Sequence, residues 1–567
     1  VDPHLPRAVE QGLTSEATID KAVKRLMRAR FRLGMFDPPE RVDYAQIPYD
    51  VVDSDAHRAL ARRVARESMV LLKNDGTLPL DKDLGSIAVI GPNADQWLML
   101  LGNYNGVPGT LTTPLEGIRR DGPPDTEVLY AQGSEIADGV PVFSVVPAEV
   151  FRTPDGEPGL HVEYFGNRDL EGAPLFTGTD EALDGNWHDR APREDLDDDD
   201  FGVRWTGTIR PERSGTYRLG VIATTKFEFY FEDSLLTRSR YNYMDELGDP
   251  RLVKTEPMHL EAGETYEIRM DAGEGYGDAQ VQLLWVPPRG DLEAEAVATA
   301  ERADAVVLFL GLTPDIEGEE MDVEVEGFRG GDRTEITLPA VQERLLRRIT
   351  ELGKPTVLVL LNGSALAVNW ADENVPAILE AWYPGQAAGT AIADVLFGDY
   401  NPAGRLPVTF YQSVDDLPPF EDYDMEGRTY RYFDGDVLYP FGHGLSYTTF
   451  AYDNLRTSSE TLARDGAVAV RVDVTNTGER AGDEVVQLYV AYPDSEVERP
   501  RKELKGFVRV ALDPGETKTV ELPLEASELA YWDAERDRWV VEATTVELQV
   551  GASSEDIRLR QTLAVAE

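Results

Sequence analysis

The sequence predicts a mostly parallel α/β sheet covered on both faces, interrupted by an inserted antiparallel β-sandwich and followed by a C-terminal β-sandwich. Three observations carry this. Continuous apolar runs alternate with amphipathic helical stretches after about residue 53 and again after 295. Between about 157 and 290 the pattern is instead aromatic, alternating and turn-separated. Beyond about 450 it returns to a strict two-residue alternation.

Residues 15–33, SEATIDKAVKRLMRARFRL, place Ile19, Ala22, Val23, Leu26, Ala29 and Leu33 on one helical face, with Ser15 as N-cap. Gly34, Pro38 and Pro39 end that helix, and a linker runs to about residue 50. DAHRALARRVARESMVLL (55–72) reads as a helix and SIAVIGP (86–92) as a buried strand. After the interruption, ADAVVLFLGL, PTVLVLLNGS and PAILEAWY read as strands, with LPAVQERLLRRITELG and QAAGTAIADVLFG as helices. The interrupting segment contains LHVEYF, FGVRWTGTIRP, GTYRLGVIATTKFEFYFED, ETYEIRMDAG and AQVQLLWVPP. Insertion at a surface loop is tolerated because the ends of a domain often lie close together. In the tail, Val468, Val470, Val472 and Val474 alternate with polar residues, as do Val486, Leu488 and Val490.

The 567 residues carry a net charge of −49, which repels nucleic acid and anionic lipid as partners. Only ten of the 55 basic residues are lysine. That composition fits either a salt-rich, halophilic habitat or an acidic secreted enzyme of a GC-rich genome. There is no cysteine, so disulfides and thiolate metal sites are excluded. No run approaches the roughly 20 apolar residues that span a bilayer. The start, VDPHLPRAVEQG, has neither an initiator Met nor a leader, and reads as a cut through a longer protein.

Ligands of an open parallel sheet bind beyond the carboxyl ends of its strands. The segments leaving those ends are IGPNADQW, LGLTPDIEGEE, LNGSAL and AWYPGQAAG. The second belongs to Thr313–Arg333, a glycine-punctuated loop with carboxylates at Asp315, Glu317, Glu319, Glu320, Asp322, Glu324 and Glu326. Such a loop suits a retaining glycosidase, which pairs a carboxylate nucleophile with a protonated carboxylic acid about 5 Å away. Neighbouring negative charge raises the pKa of the acid. A solvated acidic loop is the alternative. The six histidines show no i, i+4 pair, so a histidine metal cluster is not expected. There is no Walker motif and no Gly-x-Ser-x-Gly elbow. EDLDDDDFG (194–202) lacks the spacing of a calcium loop and reads either as such a site or as a solvated turn.

Four longer blocks occur in order: ARESMVLLKNDGTLPL, SIAVIGPNAD, AWYPGQAAGTAIADVLFGDYNPAGRLPVTF and YPFGHGLSYTTF. Together they resemble glycoside hydrolase family 3 over nearly the whole chain. The resemblance implies a last barrel helix and linker at 1–50 and an α/β sandwich domain at 51–150 and 291–412. It further implies a protective-antigen-type β-sandwich insert at 151–290, a connector at 413–450 and a fibronectin type III-like domain at 451–567. In that family a (β/α)₈ barrel carries the nucleophilic Asp and the sandwich domain provides the acid/base Glu. The Ser-Asp-Trp-like stretch of the nucleophile has no equivalent here.

The family's Ile-Glu-Ala-Glu-x-x-Asp-Arg pattern, laid on Ile316-Glu317-Gly318-Glu319, puts the acid/base at Glu319. Glu317, Glu320 and Glu326 remain competitors because this loop is longer. Asp332 and Arg333 are expected to form a loop-fixing ion pair, and a loop without its barrel is expected to be mobile. LLGNYNGVPGTLTTPLEGI (100–118) is similar to the β-xylosidase branch.

The resemblance thus implies part of an exo-acting retaining β-glycosidase on terminal β-D-xylosyl or β-D-glucosyl residues, needing no cofactor or metal. Its substrate would be an oligosaccharide or aryl glycoside, and the parent protein extracellular or periplasmic. A separate barrel-bearing polypeptide is one possible source of the nucleophile. The rival is a carbohydrate-binding protein that acts through the insert without catalysis.

Overall fold

The computed structural model describes residues 4–106, 108–188, 190–239, 251–275, 277, 279–321 and 323–566. Asp322 of the acidic loop lies outside the described residues. The chain divides into two compact units, 1–59 and 60–567.

In the first unit, α1 (Leu5–Glu10) leads into α2 (Glu16–Arg32). The Ser15 hydroxyl caps α2 by accepting from the Thr18 amide at 3.2 Å. The helix buries none of its side chains, the expected apolar face included. A third helix, α3 (Asp55–Ser68), begins in this unit and continues into the second.

The second unit is built on a six-stranded sheet. Its strands are β1 (Val70–Asn74), β2 (Ser86–Ile90), β3 (Glu127–Ala131), β4 (Ala305–Gly311), β5 (Thr356–Leu361) and β6 (Ala377–Glu380). Their order is β1-β6-β5-β4-β2-β3, all parallel except β1, which runs antiparallel to β6. The expected helix over 55–72 therefore stops at Ser68, and Met69–Leu72 leave it. Their apolar side chains satisfy a helical pattern locally, but pairing of Val70 with Glu380 and Leu71 with Leu379 draws them into the sheet.

Every residue of β2, β4, β5 and β6 is buried, as expected of strands covered on both faces. On one face Ala296 and Ala300 of α5 (Leu292–Arg302), Leu345 and Ile349 of α6 (Ala340–Thr350) and Ala371 of α7 (Asn369–Asn374) close the core. On the other, Ala65 of α3 joins Leu115 and Ile118 of α4 (Pro114–Asp121) and Ile392 of α8 (Ala388–Leu396). Helices α4 and α8 meet through glycine: a Cβ on Gly117 would lie 2.1 Å from the Gly389 carbonyl carbon.

Between β3 and α5 the strands among the described residues pair only antiparallel. One sheet is formed around 215–223 and 279–286, the other around 201–209 and 266–274. Leu219, Val221, Leu283 and Trp285 from the first share a core with Val203, Trp205, Met270 and Ala272 from the second. Two carboxylates of 194–202 pair with arginines, Asp195 with Arg193 at 2.8 Å and Asp200 with Arg168 at 3.2 Å. Among the described residues no group of three or more side chains could hold a metal ion.

Beyond residue 450, strands Phe450–Thr457, Ala467–Asn476 and Thr517–Glu525 face a five-stranded sheet containing Gly482–Ala491 and Thr545–Gly551. The alternating valines at 468–474 and Val486, Leu488 and Val490 fill the common core. No helix among the described residues is long and apolar enough to cross a membrane.

Candidate active site

Sheet order locates the site before any side chain is considered. From β2 the chain moves outward to β3, then returns to place β4 on the opposite side of β2 and continues outward through β5 and β6. The carboxyl ends of β2 and β4 are thus the topological switch point, where a crevice opens in such sheets. The loop after β2 runs from Gly91 to the N-cap of α4. It is pinned there by a capping box, in which the Thr113 hydroxyl accepts from the Glu116 amide and the Glu116 carboxylate from the Thr113 amide. The loop after β4 carries the acidic cluster.

That second loop is hydrogen-bonded onto itself. Ile316 is buried at its root, and its outer part forms a small antiparallel sheet of 324–325, 328–329 and 332–333. The Gly318 amide donates to the Gly331 carbonyl at 3.2 Å and the Met321 amide to the Gly330 carbonyl at 2.9 Å. The loop thus closes on itself.

Glu317 and Glu319 meet different fates. The Glu317 carboxylate accepts from the Tyr383 hydroxyl at 2.9 Å, from the Gly363 amide at 3.2 Å and from the Ser364 hydroxyl. These partners leave β5 and β6, so Glu317 ties three strand-end loops together. Arg333 completes the anchor. Its guanidinium donates to the Ser364 hydroxyl at 2.9 Å and to the carbonyls of Glu335 at 2.9 Å and Thr337 at 3.1 Å.

The loop-fixing role expected of Asp332 with Arg333 therefore falls to Arg333 without Asp332. The two residues form no ion pair among the described residues, because the guanidinium is turned inward to Ser364 while Asp332 is exposed. Burial lowers the Arg333 pKa, and Glu317 opposes the shift. Burial and the Glu317 charge both push the Tyr383 hydroxyl far above its ordinary range.

Glu319, two residues on, is exposed, and its Oε2 accepts from the Tyr104 hydroxyl at 2.5 Å. The Asn103 amide nitrogen donates to the Glu317 carbonyl at 2.8 Å, so adjacent residues of the β2 loop hold both glutamates' segment. Glu320 is exposed, and Glu326 sits exposed at the turn of the small sheet. Backbone strain gathers here as well. Tyr104, Glu320 and Trp382 adopt φ of 56°, 47° and 60°, a region that side chains disfavour and that recurs at functional sites.

Beneath the rim, Glu380 at the end of β6 is fully buried. Its carboxyl accepts from the Trp382 amide at 3.0 Å and the Asn362 side chain at 3.2 Å. Desolvation, reinforced by Glu317, pushes it up to about 8, so it is held as a neutral acid. Sequence reasoning did not select Tyr104, Ser364, Tyr383 or Glu380. Tyr104 lies in the stretch 100–118, Ser364 in LNGSAL and Tyr383 in AWYPGQAAG, and a lone glutamate ending the apolar run AILE was the available signal for Glu380.

Comparison with known proteins places this arrangement among relatives. Residues 69–447 match the glycosyl hydrolase family 3 C-terminal domain and residues 484–554 a fibronectin type III-like domain. A xylan 1,4-beta-xylosidase of Xylanibacter ruminicola is 37% identical over 98% of this chain and 63% of its own length. A beta-glucosidase of Rhizobium radiobacter is 34% identical over 98% of this chain and 68% of its own length. The crystal structure of a beta-glucosidase from Kluyveromyces marxianus in complex with glucose is 30% identical. It superimposes with a TM-score of 0.68 over 91% of this chain and 63% of its own. The chain therefore spans about two thirds of the length of these relatives.

Proposed function

The chain belongs to glycosyl hydrolase family 3, and from that membership we propose that it is the acid/base-bearing part of an exo-acting, retaining β-glycosidase. Glu319 is the general acid/base, and an Asp outside these 567 residues is the nucleophile. The observation that carries this reading is the contrast on one loop. Glu317 is consumed in anchoring, whereas Glu319 projects exposed from the switch-point rim.

In the first step the nucleophile's electron pair attacks the anomeric carbon, and the glycosidic bond breaks with its pair going to the leaving oxygen. Glu319 transfers its proton to that oxygen. In the second step the Glu319 carboxylate takes a proton from water, whose oxygen displaces the nucleophile. The xylosidase relative and the GNYNG stretch favour β-D-xylosyl over β-D-glucosyl residues at the non-reducing end.

The segment 151–290 is read as a protective-antigen-type β-sandwich within the α/β domain, supported by its two antiparallel sheets over one core. The acidic surface is read as an adaptation to salt.

The test follows the native enzyme on xylo- and cello-oligosaccharides by proton NMR. Release of monosaccharide from the non-reducing end, first as the β-anomer, is expected. Internal cleavage, or first release of the α-anomer, overturns the proposal.

A further inference from the structure

Tyr104 makes a contact that packing does not explain. Its side chain belongs to a residue 76% exposed, so burial contributes little to holding the ring in place. Its backbone is strained at φ 56°, and Glu320, next to its partner, is strained at 47°. Yet its hydroxyl reaches Glu319 Oε2 at 2.5 Å across the switch point, from the β2 loop to the β4 loop. The neighbouring Asn103 bond to the Glu317 carbonyl sets the same two loops at a fixed distance. The contact is therefore polar, directional and made between two loops of otherwise unusual backbone.

We infer that Tyr104 is a positioning residue that orients the Glu319 carboxyl for proton transfer, an inference that rests on the proposed acid/base role of Glu319. An exposed glutamate has three rotatable side-chain bonds and samples many directions. A general acid has to meet the leaving oxygen within hydrogen-bond reach, and misplacement by about 1 Å costs on the order of 10²-fold in rate. A phenol bound to Oε2 uses one carboxyl oxygen as a hinge and leaves Oε1 aimed in one direction. Because the phenol donates, it accommodates Glu319 as the carboxylate that accepts a proton from water. With the proton on Oε1, Oε2 still accepts the same bond. One hydroxyl thus serves both steps without moving.

The test uses the native enzyme with its nucleophile-bearing segment present, on the glycoside it hydrolyses, comparing Tyr104→Phe, Glu319→Ala and wild type. Each is assayed with an unactivated alkyl leaving group and with a dinitrophenol leaving group, which departs without a proton. Tyr104→Phe is expected to lower kcat/KM on the unactivated substrate about 10- to 100-fold, with kcat/KM for the dinitrophenyl glycoside close to wild type and its kcat, limited by the water step, lowered and restored by azide. An equal loss of kcat/KM on both substrates, or a loss on the dinitrophenyl glycoside that azide does not restore, means a structural role and overturns the inference, as does unchanged or increased turnover on the unactivated substrate. If Glu319→Ala itself keeps full turnover on the unactivated substrate, the acid/base reading fails instead, and the inference falls with it.

Discussion

The Tyr383 hydroxyl donates to the Glu317 carboxylate at 2.9 Å, fastening the acidic loop to the end of a strand 66 residues further along the chain. Glu317 is thereby an anchor, and its removal has a local signature. Glu317→Ala should cost about 1–3 kcal/mol of stability, since Tyr383, Ser364 and Gly363 lose an acceptor together. Amide exchange at Gly318 and Met321 should accelerate while β4 and β5 stay protected. Unchanged exchange in the loop would show that the anchor is redundant.

Glu380 gives the fold a pH dependence of definite sign. Its carboxyl sits at about 8 in the folded chain against an ordinary 4.5, so the unfolded chain releases its proton first as pH rises. Stability from this group is complete below about 4.5, declines to about 8 and is then level, a change of a few kcal/mol. Glu380→Gln should remove that decline, so its Tm relative to wild type should rise between pH 5 and pH 8.5. Parallel Tm profiles would contradict the assignment.

Arg405 and Glu484 form an ion pair at 2.8 Å with side-chain exposures of 9% and 6%. The pair joins the segment after α8 to the strand Gly482–Ala491. Arg405→Ala should destabilise by about 3–5 kcal/mol, because it leaves a buried carboxylate without its partner. The double variant Arg405→Met with Glu484→Leu should recover most of that loss. Denaturant unfolding of both variants checks the pair, and a small effect of the single change would refute its energetic role.

A net charge of −49 repels itself, and added salt shortens the range of that repulsion from about 10 Å at 0.1 M to about 3 Å at 1 M. The Tm should therefore rise with sodium chloride across this range. A flat or falling Tm would count against an acidic surface adapted to salt.

What the sequence made legible depended on how local each signal was. The runs at 86–90, 305–311 and 356–361 are continuous and apolar, so strand type and the ligand-bearing rim could be read directly. The end of α3 could not, because Met69–Leu72 fit a helical pattern and only the distant β6 makes them a strand. The same holds at the site. The acidic loop announced itself, but the different partners of Glu317 and Glu319 include Ser364, 47 residues from Glu317, and Tyr104, 215 residues from Glu319. Alternation and spacing carry no record of such contacts.

The central claim is that Glu319 moves the proton. Glu319→Ala in the native enzyme, assayed on an unactivated glycoside and a dinitrophenyl glycoside with and without azide, tests it most directly. Turnover of the unactivated glycoside should fall about 10²- to 10⁴-fold. Bond cleavage in the dinitrophenyl glycoside should persist, with azide restoring turnover and yielding the β-glycosyl azide. Full turnover of the unactivated glycoside without azide would contradict the account.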